Sequence, residues 1–121
     1  MLAELGEQLL AATGADTVMA RFRSSSNAED ALGFSGAGLY ESTNACLADD
    51  LDGDASGPSR CDPGEPEERG MCRALKKVWA SLWLTRAFEE REWYGMDHAA
   101  AAMGVLVDLR FADERANVVA F

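Results

Sequence analysis

Arg21, Phe22 and Arg23 run directly into Ser24, Ser25, Ser26 and Asn27, and a glycine-rich stretch from Gly33 to Gly38 follows closely. This combination suits a polyphosphate. Guanidinium forks pair with phosphate oxygens, hydroxyls add donors, and glycines let backbone N–H groups approach without an intervening Cβ. Serine, asparagine and glycine also dominate ordinary turns, so an unremarkable hydroxyl-rich loop stands as the alternative. Alternation over residues 17–23 predicts a strand with Val18, Ala20 and Phe22 on one face and Thr17, Met19, Arg21 and Arg23 on the other. The two arginines therefore share a side, and the strand delivers them to a loop formed by the serines.

The elements that must position this loop follow from periodicity. Leu2, Leu5, Leu9 and Leu10 recur at helical spacing and Gly14 is placed to end the helix, which predicts an amphipathic helix over residues 1–13. A second extended segment is expected to begin near Leu39 and Tyr40. From about Glu67 to Tyr94 the positions Leu75, Val78, Trp79, Leu82 and Trp93 fall on one stripe, predicting a long amphipathic helix that docks on a sheet. Arg86 falls inside that stripe and needs a partner there, either an acid of the loop or a path to solvent for its head. After Gly95 two β-prone runs, residues 103–109 and 117–121, flank a polar turn and predict a hairpin. The chain stops in the second run, as expected of a fragment of a longer polypeptide. The fold class implied is α+β, an antiparallel sheet packed by a long helix, in a single domain over residues 1–121.

Residues 47–70 break every period and carry Asp49, Asp50, Asp52, Asp54, Asp62, Glu65, Glu67 and Glu68 with all three prolines. They predict an acidic loop insertion. Asp50, Asp52 and Asp54 alternate as in a calcium loop, but Ala55 and Cys61 stand where that pattern wants glycine and glutamate. Cys46, Cys61, Cys72 and His98 lack the close pairing of a zinc site. The cysteines fit either a disulfide across the acidic loop, such as Cys61 to Cys72, or reduced thiols. Asp97 is placed to cap a helical turn beside His98.

Composition narrows the class. The 121 residues are 48% apolar, with 11 basic against 21 acidic side chains and a formal charge of −10. That charge argues against nucleic acid or an anionic membrane as partner. No apolar run approaches the roughly 20 residues that span a bilayer.

Two blocks carry a family resemblance. The first is Arg23 to Asp30 followed by Gly33 to Ser42; the second is Val78 to Trp83 with Arg86, Ala87, Arg91, Asp97, His98 and Ala102 to Val107. In this order they resemble the nucleotide-binding domain of the phosphoenolpyruvate synthase, pyruvate phosphate dikinase and glucan water dikinase group, over roughly residues 15–121. The resemblance implies part of an ATP-grasp-type domain from a phosphotransferase that uses ATP and magnesium to phosphorylate a histidine, from which an acceptor is phosphorylated. It makes Arg23 the arginine that contacts nucleotide phosphate, lines the approach with Ser24, Ser25 and Ser26, and puts Gly36 and Gly38 in the segment that closes over the terminal phosphates. Arg86 matches a family arginine and is implied to position that loop. The usual Leu-Pro before the glycines is Ala31-Leu32 here, which loosens the turn.

The same resemblance keeps His98 from being the phosphate carrier, because the family's carrier histidine lies on a separate domain in a different motif. It also puts a required lysine and the magnesium-binding acids outside these residues, so weak nucleotide binding and no turnover are expected of this chain alone. The partners implied are the nucleotide and the rest of a parent enzyme or a second copy. The compartment favoured is the cytoplasm, although a cysteine-bearing acidic loop suits an oxidising one. Two other readings remain open: a non-catalytic interaction module derived from the domain, and a calcium-responsive domain built on the acidic loop.

Overall fold

Leucines at helical spacing give α1 (Leu2–Thr13), and Gly14 ends it in the left-handed conformation, φ 70°, with its N–H donating to the Leu10 carbonyl. The computed structural model describes residues 1–28 and 38–110. After α1 come β1 (Met19–Ser26), β2 (Thr43–Cys46), α2 (Ala48–Leu51), α3 (Met71–Ala80), a 3-10 turn (Ser81–Trp83), α4 (Thr85–Trp93), a second 3-10 turn (His98–Ala100) and β3 (Met103–Leu109). The strands form one antiparallel sheet in the order β2-β1-β3. This is an α+β domain, the arrangement expected of a partial ATP-grasp-type subdomain.

One face of the sheet is covered. Ala20, Phe22 and Ala45 meet Leu9 of α1 and Met71, Ala74, Leu75 and Val78 of α3, with Leu47 between them. Gly6 lets α1 come close, because a Cβ there would stand 3.2 Å from Leu47 Cδ1 and 3.4 Å from Met71 Cε. A smaller cluster of Tyr40, Leu82 and Ala87 ties the segment before β2 to α4.

Several expectations change. The strand expected over residues 17–23 lies at Met19–Ser26, so the three serines are strand and not loop. The cause is β3, which pairs with β1 as far as Ser26 opposite Met103 and supplies the ladder that serine propensity alone does not favour. The second extended segment begins at Thr43, and Leu39 and Tyr40 precede it in a turn. The second strand of the expected hairpin, residues 117–121, lies outside the described residues.

The expected long helix is present as two helices. Residues 67–70 are not helical, and the chain breaks again at Leu84, whose ψ of 143° is extended. The Ser81 hydroxyl donates to the Val78 carbonyl at 2.6 Å, one turn back, as the helix tightens. The break rotates α4 off the predicted stripe. Leu75, Val78 and Leu82 are buried, whereas Trp79 is 46% and Trp93 83% exposed. It also exchanges the arginines: Arg86 is half exposed, and Arg91 is the fully buried one.

Arg91 is what makes the break tolerable. Its Nη2 donates to the Leu82 carbonyl at 2.7 Å, satisfying an acceptor freed by the break, and its Nε donates to His98 Nδ1 at 3.2 Å. Since Nδ1 accepts, the proton of neutral His98 sits on Nε2, which faces Glu92 Oε2 at 2.8 Å. Phe88 stacks on the imidazole at 4.0 Å. Asp97 caps the second 3-10 turn as expected, accepting from the Ala99 N–H at 2.9 Å.

The acidic segment is more organised than a solvated loop. A disulfide joins Cys46 to Cys61, and Cys72 is free and exposed on α3, which corrects the Cys61–Cys72 pairing. Cys46 ends β2, so the bridge staples the segment to the sheet. Buried Asp49 accepts from the Arg60 and Arg69 N–H groups, each at 2.8 Å, and Asp50 accepts from Met71 N–H at 2.7 Å at the start of α3. A Cβ on Gly70 would stand 2.7 Å from Asp50 Oδ1, so glycine is what lets that carboxylate approach. Asp50 is therefore committed to α3, and the acids that gather are Asp52, Asp54 and Glu68, with ligand atoms within 4.8 Å of one another.

Arg91→Met leaves the buried Leu82 carbonyl without its donor and should cost roughly 2 kcal/mol in urea unfolding, on the scale of an orphaned buried acceptor; an unchanged midpoint removes Arg91 from its structural role. The hydrogen bond with Asp54 holds the Glu68 carboxyl up at about 7, from an ordinary 4.5, and lowers Asp54. The folded state thus holds a proton that the unfolded chain has released, and the stabilisation, complete below pH 4.5, is lost as pH rises through about 7. The melting temperature should fall between about pH 4.5 and pH 7, and Glu68→Gln should flatten that slope.

Candidate functional site

Ladder parity decides which groups of β1 can reach a ligand. The Arg110 N–H donates to the Met19 carbonyl and the Leu47 N–H to the Val18 carbonyl. Odd-numbered residues of β1 therefore turn their backbone groups to β3, and even-numbered ones turn theirs to β2. β2 pairs only as far as Thr43, opposite Phe22, while β3 continues to Ser26. Beyond Phe22, then, the Ser24 N–H and carbonyl face an edge that β2 no longer covers.

The segment before β2 peels away at that point and a cleft of about 370 Å³ opens, lined by Arg21, Arg23, Ser24, Gly38, Tyr40 and Ser42. Arg23 is 61% exposed, and its contact with Asp108 across the sheet, 3.5 Å, is long for an ion pair. Arg21 rests on Asn44 Oδ1 at 3.1 Å, a neutral acceptor, and makes no ion pair among the described residues. Gly38 has a φ of 80°, a conformation other residues rarely adopt. The cleft thus holds two guanidinium groups, hydroxyls and a strand-edge N–H, a set of donors that fits an anion.

The far wall has two anchors. Tyr40 is buried against Leu82 and Ala87. Arg86, from α4, donates through Nε to the Leu39 carbonyl at 2.9 Å and pairs through Nη2 with Glu41 Oε1 at 2.8 Å. An arginine in the first turn of α4 thereby grips the chain immediately after the glycine-rich stretch.

Of the residues singled out from sequence, Arg23, Ser24 and Gly38 come together in this cleft and Arg86 braces its wall. Ser25 and Ser26 do not line it. Ser25 is exposed and paired with Gly104, and the Ser26 Oγ accepts from the Ala28 N–H at 3.1 Å, shaping the turn that leaves the strand. Gly36 lies outside the described residues.

Four further residues contribute that the sequence does not mark as phosphate-binding or loop-positioning: Arg21, Tyr40, Ser42 and Asn27. Strand alternation already put Arg21 beside Arg23. Asn27 has no such signal. Its side chain donates to the Ala100 carbonyl at 2.9 Å and accepts from the Ala102 N–H at 2.8 Å, clamping the end of β1 to the start of β3 across more than seventy residues of sequence. The cluster Asp52, Asp54 and Glu68 belongs to the acidic segment, and no carboxylate lines the cleft among the described residues. No helix among the described residues is long and apolar enough to cross a membrane.

No curated protein and no solved structure matches this chain with significance. A family model described as "Pyruvate phosphate dikinase, AMP/ATP-binding domain" matches residues 1–121, the whole of the sequence given. The donor-rich cleft of β1 is thus found in a chain that belongs to the family of pyruvate phosphate dikinase AMP/ATP-binding domains.

Proposed function

We propose that this chain is the ATP-binding part of a phosphotransferase resembling phosphoenolpyruvate synthase and pyruvate phosphate dikinase, built as part of an ATP-grasp-type domain. The nucleotide phosphates lie in the cleft where β2 parts from β1. The observation that carries this reading is the convergence of Arg23, Ser24 and Gly38, with Arg21, on one opening in a member of an AMP/ATP-binding family. Ser26 shapes the turn at the end of the strand, and Gly36 keeps the phosphate-binding role that the family resemblance implies.

The contribution of these residues is charge and position. Phosphoryl transfer spreads negative charge over equatorial oxygens, and fixed cationic donors stabilise it without reorganising. The Arg23 and Arg21 forks meet phosphate oxygens from the outer face of the sheet, and the Ser24 N–H meets them from the open edge. Arg86 acts at one remove, holding the segment that carries Gly38 through Leu39 and Glu41. Magnesium does not fit here, since no carboxylate lines the cleft among the described residues. We assign its ligands, with the phosphohistidine and the acceptor site, to protein outside this chain. ATP chemistry favours a cytoplasmic setting for the parent enzyme, whereas the Cys46–Cys61 disulfide suits an oxidising one.

Calorimetric titration of the chain with a non-hydrolysable ATP analogue and magnesium should show saturable binding. Arg23→Ala should weaken it tenfold or more, equivalent to about 1.4 kcal/mol; equal affinity in the two proteins places the phosphates elsewhere. Arg86→Met should weaken binding severalfold while shifting stability by about 1 kcal/mol or less, because its ion pair is exposed. A loss of stability with unchanged affinity makes Arg86 a structural residue only.

A further inference from the structure

A second cleft of about 490 Å³ lies at the opposite edge of β2, lined by Arg21, Asn44, Arg69, Arg73 and Lys77 together with Ser42, Thr43, Glu65 and Glu67. Arg69, Arg73 and Lys77 stand four residues apart, so they form one stripe along α3 and its approach. Arg69 pairs with Glu65 and Arg73 with Glu67. Lys77 is exposed and has no ion-pair partner among the described residues, and Arg21 rests on the neutral Asn44 side chain. Four cations against two acids leave a surplus of two positive charges in a chain whose formal charge is −10.

Backbone parity adds a directional donor. The Cys46 N–H points away from β1 and donates to the Arg69 carbonyl at 2.8 Å. Two residues earlier on the strand, the Asn44 N–H points the same way, toward the cationic stripe. An edge strand that only needed protection from pairing would be served by the lysine and arginines alone. A cleft that adds an outward N–H and the Ser42 and Thr43 hydroxyls has the donors of an anion site.

We propose that this edge cleft is a second anion site, taking a doubly charged oxyanion of the phosphate class on Lys77, Arg21 and the Asn44 N–H, beside the already paired Arg73. It stands apart from the nucleotide reading, because Lys77, Arg73 and Asn44 do not line the first cleft. Arg21 and Ser42 line both, so the two sites adjoin.

The test is an amide-resolved NMR titration of the chain with inorganic phosphate at constant ionic strength, with chloride as control, beside a phosphate monoester, glycerol 3-phosphate. Saturable shifts at Asn44 and along residues 73–77, weakened about tenfold by Lys77→Gln and unaffected by Arg23→Ala, are the expected result. Tighter binding of the monoester identifies a phosphorylated metabolite as the ligand, and equal binding identifies the phosphoryl group alone. Chloride producing the same shifts, or shifts that ignore Lys77→Gln, overturns the proposal and leaves the stripe as edge protection. Shifts confined to Gly38, Ser24 and Arg23 also overturn it while leaving the nucleotide cleft standing. The exposure of Lys77 makes its substitution compatible with folding.

Discussion

The two ladders of β1 are unequal in length, and the rest of the site depends on that mismatch. β3 supports β1 through Ser26, whereas β2 stops at the partner of Phe22. Support on one side keeps the serine run extended although serine is a poor strand former. Loss of support on the other exposes the Ser24 backbone beside the Arg23 fork. An equally long β2 would bury the same groups in a hydrogen-bond ladder, and no anion could reach them.

The mismatch persists because both of its sides are fastened from a distance. Asn27 clamps the end of β1 to residues 100 and 102, and the Cys46–Cys61 bridge with buried Asp49 fixes β2 against the acidic segment. The wall that leaves β2 early is anchored by Tyr40 in the smaller core and by Arg86 on α4. α4 can present Arg86 there only because the chain breaks after Trp83, and the break is accommodated by the Arg91 guanidinium on the Leu82 carbonyl. A buried arginine on a carbonyl and a histidine thus governs, through a helix direction, the shape of a cleft on the sheet.

Charge is distributed in keeping with this layout. The acids concentrate in the segment after β2, where Asp49 and Asp50 are used up on backbone N–H groups and Glu68 shares a proton with Asp54. Arg21, Arg23, Arg69, Arg73 and Lys77 line the two clefts beside β2. A strongly acidic chain therefore presents locally positive clefts, and short-range fields of this kind persist at physiological salt because the partners lie well within a Debye length of about 8 Å.

Much of this was legible in the sequence. Leucine spacing and Gly14 defined α1, alternation put Arg21 and Arg23 on one side, the run from Met103 defined β3, and the order of motifs pointed to the family. These are local signals, set by a period of 3.6 or 2 and by capping chemistry, and they need no partner to be read. The tertiary structure decided the rest. Whether Ser24, Ser25 and Ser26 were loop or strand depended on β3, some eighty residues away. Which arginine was buried depended on a break at Leu84 that the apolar stripe ran straight through. Which cysteines joined depended on how the acidic segment folds back over β2. Each of these is a choice among alternatives with the same local propensity, and such choices are made by long-range pairing and by the demand that buried polar groups find partners.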